Sequence, residues 1–240
     1  MRAILVEDSR LARVEMRRLL AAHSDIEIAA EAANAEEAER LVIELQPDLV
    51  FLDIQLPGRD GFELLASLDA TPMVIFCTAY NEFAVRAFER NALDYLVKPV
   101  QPERLARALE RARQALGRQT HDPSKRRDLL RLTDRVFVKD GEDCWFVPLN
   151  EVRLFETEGT YTRLYFGTHR PLIPKTLNYL ETRLDPQAFF RASRRHMVNL
   201  QWVKEVEPWF AGGLRLTLKD GQNIEVSRRQ AQRFREVMSL

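Results

Sequence analysis

Five short apolar runs alternate with helix-spaced segments through the first half of the chain, and that alternation limits the fold more than any other feature. The runs cover residues 3–6, 26–30, 49–52, 73–77 and 95–97. Between and after them, helical patterns fill residues 11–22, 35–45, 62–68, 82–91 and 102–116. Strands this uniformly apolar have both faces buried, which a parallel sheet between two helical layers provides. The helix ends agree. Asn34 precedes a helix with an acid, Glu37, three residues on, while Pro102 and Gly117 bracket the last helix. The first half therefore reads as a doubly wound α/β domain with five parallel strands.

The pattern lapses over residues 117–128, a polar, aperiodic stretch containing Pro123, and this reads as a linker. Strand signals then take over. Asp140-Gly141 and Asp220-Gly221 are hairpin turns, and residues 214–218 alternate Leu-Arg-Leu-Thr-Leu. Residues 152–156, 161–166 and 196–206 add further strands, and 176–184 a short helix. Ser227 and Gln230 have the spacing of a capping box opening a terminal helix. The second half is mainly antiparallel β.

Charge divides along the same line. The 36 Lys+Arg cancel the 36 Asp+Glu. Residues 1–120, however, hold 15 basic and 20 acidic side chains, and residues 121–240 hold 21 and 16. A chain neutral only by cancellation suggests two domains with different partners. No apolar run approaches a membrane span. The N-terminus meets Glu7 and Asp8 too soon for a secretory leader. Cys77 and Cys144 lack neighbours at metal spacing and read as core thiols, so a cytoplasmic protein that makes no membrane contact is expected.

In an open parallel sheet, functional groups gather beyond the carboxyl ends of the strands. Those positions hold Glu7, Asp8, Asp53, Thr78 and Lys98. Clustered carboxylates repel unless a cation intervenes. An incompletely caged oxygen site suits Mg²⁺ shared with a phosphate. One carboxylate can then attack phosphorus to give an aspartyl phosphate, with Thr78 and Lys98 holding phosphoryl oxygens.

The segments Leu5-Val6-Glu7-Asp8-Ser9, Leu52-Asp53-Ile54-Gln55-Leu56-Pro57-Gly58, Cys77-Thr78-Ala79 and Asp94-Tyr95-Leu96-Val97-Lys98-Pro99 resemble the signature motifs of two-component receiver domains, which are flavodoxin-like. The resemblance covers residues 1–118. It implies that Asp53 is the phosphoacceptor for a histidine kinase and that Glu7 and Asp8 are the metal-binding acid pair. It further implies the backbone carbonyl of Gln55 as a Mg²⁺ ligand, Thr78 and Lys98 as phosphoryl-sensing residues, Tyr95 as the switch aromatic, and a cis Lys98–Pro99 bond. Glu7 departs from the commoner aspartate and keeps the charge on a longer arm. The face formed by residues 82–91, the last strand and 102–116 is the family's dimerisation surface, so a homodimer through the receiver is expected.

Basic residues in the second half cluster at Arg191, Arg194 and Arg195 and again at Arg228, Arg229, Arg233 and Arg235, interleaved with hydroxyl and aromatic groups. Such clusters suit nucleic acid, since charges meet phosphates while short polar groups reach base edges. Residues 152–162, 190–200, 216–221 and 226–229 resemble the LytTR DNA-binding domain, over 130–240 after a linker at 119–129. The whole is similar to the LytR/AlgR class of bacterial transcriptional regulators. By position the resemblance implies Thr162 or Arg163, Arg194 and Arg228 as contacts with promoter DNA, supported by Arg195 and Arg229. Ser193, Arg195 and His196 stand where the family usually has His, Ser and Tyr, a shift towards greater charge. Phe189, Phe190, Trp202 and Trp209 read as core or interface residues.

The expectation is a phosphorylation-dependent transcriptional regulator rather than an enzyme. Two other classes compete. One is a basic output domain that docks an acidic protein, which a salt titration of duplex binding separates. The other is an aspartyl-phosphate phosphotransferase, which calls for a proton-moving acid near Asp53 where the chain has Gln55.

Overall fold

The computed structural model describes residues 1–79, 94–118, 129–141 and 143–238. The helix expected at 82–91 lies outside them, as does the expected linker apart from Leu129. Packing separates two units. One comprises Met1–Lys125, Arg135–Phe137 and Gly141–Phe146; the other comprises Arg126–Asp134, Val138–Asp140 and Val147–Leu240.

In the first unit, β1 (Arg2–Val6), β2 (Glu27–Ala32), β3 (Leu49–Leu52), β4 (Met73–Thr78) and β5 (Asp94–Val97) form a sheet in the order β2-β1-β3-β4-β5. Every pairing is parallel. Alternation along the strands sends Ile4, Val6, Val50, Leu52, Val74 and Phe76 to one core cluster and Ala3, Leu5, Leu49, Phe51, Ile75 and Cys77 to the other. Both faces are dry, and so the runs are apolar throughout.

Helices α1 (Arg10–Leu20) and α4 (Pro102–Arg118) cover one face through Met16, Leu20, Leu105, Ala108, Leu109 and Ala112. Helices α2 (Ala35–Leu45) and α3 (Gly61–Ser67) cover the other through Ala35, Ala38, Val42, Phe62, Leu64 and Leu65. The cluster under α2 and α3 also takes in Phe137, Cys144 and Phe146, with the Phe62 and Phe137 rings stacked at 6.1 Å. Asn34 caps α2 by accepting from Glu37 N–H at 2.9 Å. Asp60 and Glu63 form a complete capping box at α3, satisfying two N–H groups that a helix start leaves without partners.

The chain turns at Asp140 and Gly141 (φ 63°) between β6 (Arg135–Asp140) and β7 (Asp143–Pro148). In the second unit, β8 (Val152–Glu158), β9 (Tyr161–Phe166), β10 (Leu172–Ile173), β11 (Phe189–Arg191) and β12 (His196–Asn199) form an antiparallel sheet ordered β10-β9-β8-β12-β11. A second sheet joins β13 (Val203–Pro208), β14 (Leu214–Leu218) and β15 (Asn223–Val226). Helix α5 (Leu177–Arg183) lies between β10 and β11 in sequence, and α6 (Arg228–Met238) follows β15. Leu154, Tyr165, Phe190 and Val198 meet Leu214, Leu216, Leu218, Ile224 and Val226 in one core closed by Ala231 and Phe234.

The single strand expected at 196–206 is two. Asn199 is wholly buried; its amide donates to Leu149 O and Val152 O at 3.3 and 2.9 Å while its Oδ1 accepts from Gln201 N–H. That side chain turns the backbone into a short 3-10 segment, and β13 emerges in the other sheet.

Candidate functional site

The parallel register sets the first site. Val6 pairs with Leu52, so the next residues, Glu7 and Asp53, leave the sheet side by side. Thr78 pairs with Val97, placing Lys98 just beyond the same edge. The Lys98 ammonium reaches Asp53 Oδ2 at 2.6 Å and also pairs with Glu7 Oε2. Oxygens of Glu7, Asp8 and Asp53 all lie within 4.8 Å of one another. Glu7 and Asp53 are buried, whereas Asp8 is exposed. Gln55 N–H donates to Asp53 Oδ1 at 3.0 Å, which folds the following backbone back onto the carboxylate. Thr78 is fully buried, with its carbonyl accepting from Lys98 N–H. Tyr95 is half-buried with the Arg104 guanidinium 5.4 Å above its ring, and Lys98–Pro99 is cis.

Three carboxylates against one ammonium leave two negative charges, the deficit a divalent cation fills. Burial pushes the Glu7 carboxyl above its usual range, although Lys98 opposes this. Burial would lower Lys98, but its bonds to Asp53 and Glu7 outweigh that and hold it above the usual lysine value. Cys77, a buried free thiol, is pushed upward by burial and stays protonated.

Gly61 lets α3 start against the acceptor. A Cβ there would lie 2.6 Å from Asp53 O and 3.2 Å from Ile54 Cα, both rigid backbone. Gly61→Ala is expected to destabilise the fold by about 1–3 kcal/mol through overpacking, measured by urea unfolding. Gly58→Ala meets nothing within 4 Å but forces a side chain to φ 79°, so it should cost only about 1–2 kcal/mol. Equal midpoints for Gly61→Ala and the parent would remove the close-approach argument.

In the second unit, main-chain bonds gather segments far apart in sequence. Thr157 N–H donates to Arg195 O at 2.8 Å, and Ser227 N–H donates to Ala192 O at 3.3 Å. The β8–β9 end, the β11–β12 loop and the start of α6 thus share one rim. Ser227 caps α6 by accepting from Gln230 N–H at 3.5 Å. The reciprocal half of the expected box is absent, because Ser227 N–H is committed to Ala192.

Arg194, Arg228 and Arg229 are exposed and carry no ion pair among the described residues. Arg195 pairs with Glu156 at 3.1 Å, and Arg163 is held by Glu158 and by Arg170 O. Thr162 corrects the expectation: it has no exposed surface, so its side chain faces the interior and cannot reach a ligand. Sequence reasoning missed Glu156. Its carboxylate accepts from Tyr165 Oη at 2.6 Å and faces His196 Nε2 at 3.4 Å. Chiefly the Tyr165 bond holds it below the usual range.

Comparison with known proteins adds independent weight. A family model for the response regulator receiver domain matches residues 3–110, and one for the LytTr DNA-binding domain matches residues 142–239. The sensory transduction protein LytT of Enterococcus faecalis is 30% identical over 251 residues, spanning 100% of both chains. The transcriptional regulatory protein YpdB of Escherichia coli is 31% identical over 244 residues, again spanning 100% of both. The chain belongs to the LytTR-type response regulators. Among solved structures, the response regulatory domain of mrkE from Klebsiella pneumoniae is 34% identical, with a TM-score of 0.45, covering 50% of this chain and 100% of that one. The acid pocket of this response regulator falls wholly within the receiver match, and its basic rim wholly within the LytTr match. It is a phosphorylation-dependent transcriptional regulator whose output domain binds DNA. No helix among the described residues is long and apolar enough to cross a membrane.

Proposed function

We propose that a cognate histidine kinase phosphorylates Asp53 in a Mg²⁺-bound pocket, and that the receiver then pairs and presents two basic rims to promoter DNA in the cytoplasm. The observation that carries this reading is the Lys98 ammonium bridging Asp53 and Glu7 in a cluster two charges short of neutrality. Glu7, Asp8, Asp53 and the Gln55 carbonyl would hold the ion, which when bound offsets the negative charge of phosphoryl oxygens and carboxylates. An Asp53 oxygen forms a bond to phosphorus as the phosphohistidine N–P bond breaks, and the imidazole leaves. Lys98 exchanges its carboxylate contact for a phosphoryl oxygen, Thr78 donates its hydroxyl, and Tyr95 follows the change. No external substrate is turned over, and so the protein is not an enzyme. The partition is receiver 1–118, linker 119–129 and DNA-binding domain 130–240, with Phe137, Cys144 and Phe146 of the last packing into the receiver core.

Arg194, Arg195, Arg228 and Arg229 meet the duplex, with Arg163 at the margin of the rim. Pairing two rims raises the effective concentration of the second once the first has bound. Sedimentation and duplex binding of the full chain, before and after treatment with a small acyl phosphate, test this. Phosphorylation should shift the protein to dimer and tighten binding. The affinity should fall with salt at a log–log slope of roughly −0.9 per phosphate neutralised. Duplex binding indifferent to salt would overturn the DNA reading.

A further inference from the structure

The most exposed large apolar side chain among the described residues is Phe210, at 88%. It sits at the turn between β13 and β14, and that turn is rigidly built. Trp209 N–H donates to Gly213 O at 3.0 Å and Gly213 N–H to Phe210 O at 3.1 Å. The Arg215 guanidinium lies 4.1 Å from the Trp209 ring centroid and pairs with Glu207. Ala211 is held in the left-handed region at φ 55°, a conformation costing a residue with a Cβ about 1–2 kcal/mol. A fixed, strained turn that thrusts a phenyl ring into water has retained two costs together, and such sites tend to be functional.

Its surroundings say what the ring meets. A Cβ on Gly213 would strike Val226 O at 2.7 Å, so this residue packs directly on the end of β15, just before Ser227. A Cβ on Gly212 would lie 3.7–3.9 Å from Cγ, Cδ and Nε of Arg228, so the stem of Arg228 runs along the turn. The turn that carries the exposed ring therefore borders Arg228. An apolar protein surface covering it would also bury the unpaired Arg228 guanidinium, at considerable cost. A duplex groove supplies phosphates for the arginine and apolar base and sugar edges for the ring.

We propose that Phe210 is a DNA-contacting residue whose ring enters the groove beside Arg228, making the β13–β14 turn a fourth contact segment. The inference rests on the DNA reading above. Full burial of a phenyl group corresponds to about tenfold or more in affinity, and because the ring is uncharged its loss leaves the salt slope unchanged.

The test uses the full, phosphorylated chain and a duplex selected from a random-sequence library by the parent protein. Dissociation constants are measured across a salt series for the parent, Phe210→Ala, Phe210→Leu and Arg228→Ala. Phe210→Ala should bind about tenfold or more weakly at every salt concentration with the parent slope, and Phe210→Leu should fall between. Arg228→Ala should weaken binding and flatten the slope by about one. Parent-like constants for Phe210→Ala would overturn the proposal while leaving the DNA reading standing. Loss of the dimer on sedimentation, with affinity for a single half-site unchanged, would overturn it in favour of a second copy of this chain. A parent protein with no salt-dependent duplex binding would remove both.

Discussion

Asp53→Ala protein should take up no phosphoryl group from a small acyl phosphate, a complete loss read by intact-mass spectrometry. The pocket contains other carboxylates, but the geometry distinguishes them. Glu7 is engaged with Lys98 and Ser9 N–H, and Asp8 is exposed at the margin. Asp53 alone is a buried acid that both Lys98 and the folded-back Gln55 N–H address. Asp8→Ala should behave differently: it keeps the nucleophile and removes one metal oxygen, so it should still be phosphorylated but require more Mg²⁺ for the half-maximal rate. Phosphate-dependent tightening on DNA should vanish in Asp53→Ala along with the adduct. An adduct surviving that change would place the acceptor elsewhere.

The arginine variants should show the second large effect. Arg194→Ala and Arg228→Ala each remove an exposed guanidinium that has no ion pair among the described residues. With Arg194 at a base edge, its loss should cost about 1–3 kcal/mol, or roughly tenfold to a hundredfold in duplex affinity by fluorescence anisotropy, whereas loss of Arg228 from a phosphate should weaken binding across sequences and flatten the salt slope by about one. Arg195→Ala should cost less, because Glu156 already occupies part of that guanidinium. Thr162→Val should leave binding unchanged, since the side chain is enclosed. Asp53 phosphorylation should be normal in all four. A Thr162→Val defect larger than that of Arg194→Ala would reverse the assignment.

Much of this was legible because strand ends are fixed by apolar runs. Once residues 49–52 are a buried strand, Asp53 has to stand at its carboxyl rim, and the same holds for Glu7 and Lys98. What could not be read was register. Thr160, Tyr161, Thr162 and Arg163 are all polar or amphipathic, so no alternation tells which of them faces inward. The structure buries Thr162 and exposes Tyr161. The Glu156–Arg195 and Glu158–Arg163 pairs likewise depend on which strand lies beside which. Asn199, inside an apolar stretch, was the one available sign that residues 196–206 form two strands. Phe210 follows Trp209, and adjacent aromatics look like core in a linear reading.

The two main-chain bonds joining Thr157 to Arg195 and Ser227 to Ala192 carry a consequence for how such a regulator can diverge. They make three loops one mechanical body, so a substitution that bends one loop shifts the others. Energies of paired substitutions across the rim should therefore fail to add. Retargeting to a new promoter would then proceed by exchanging loops as a set, since a single replacement spoils the fit of its neighbours before it can improve its own.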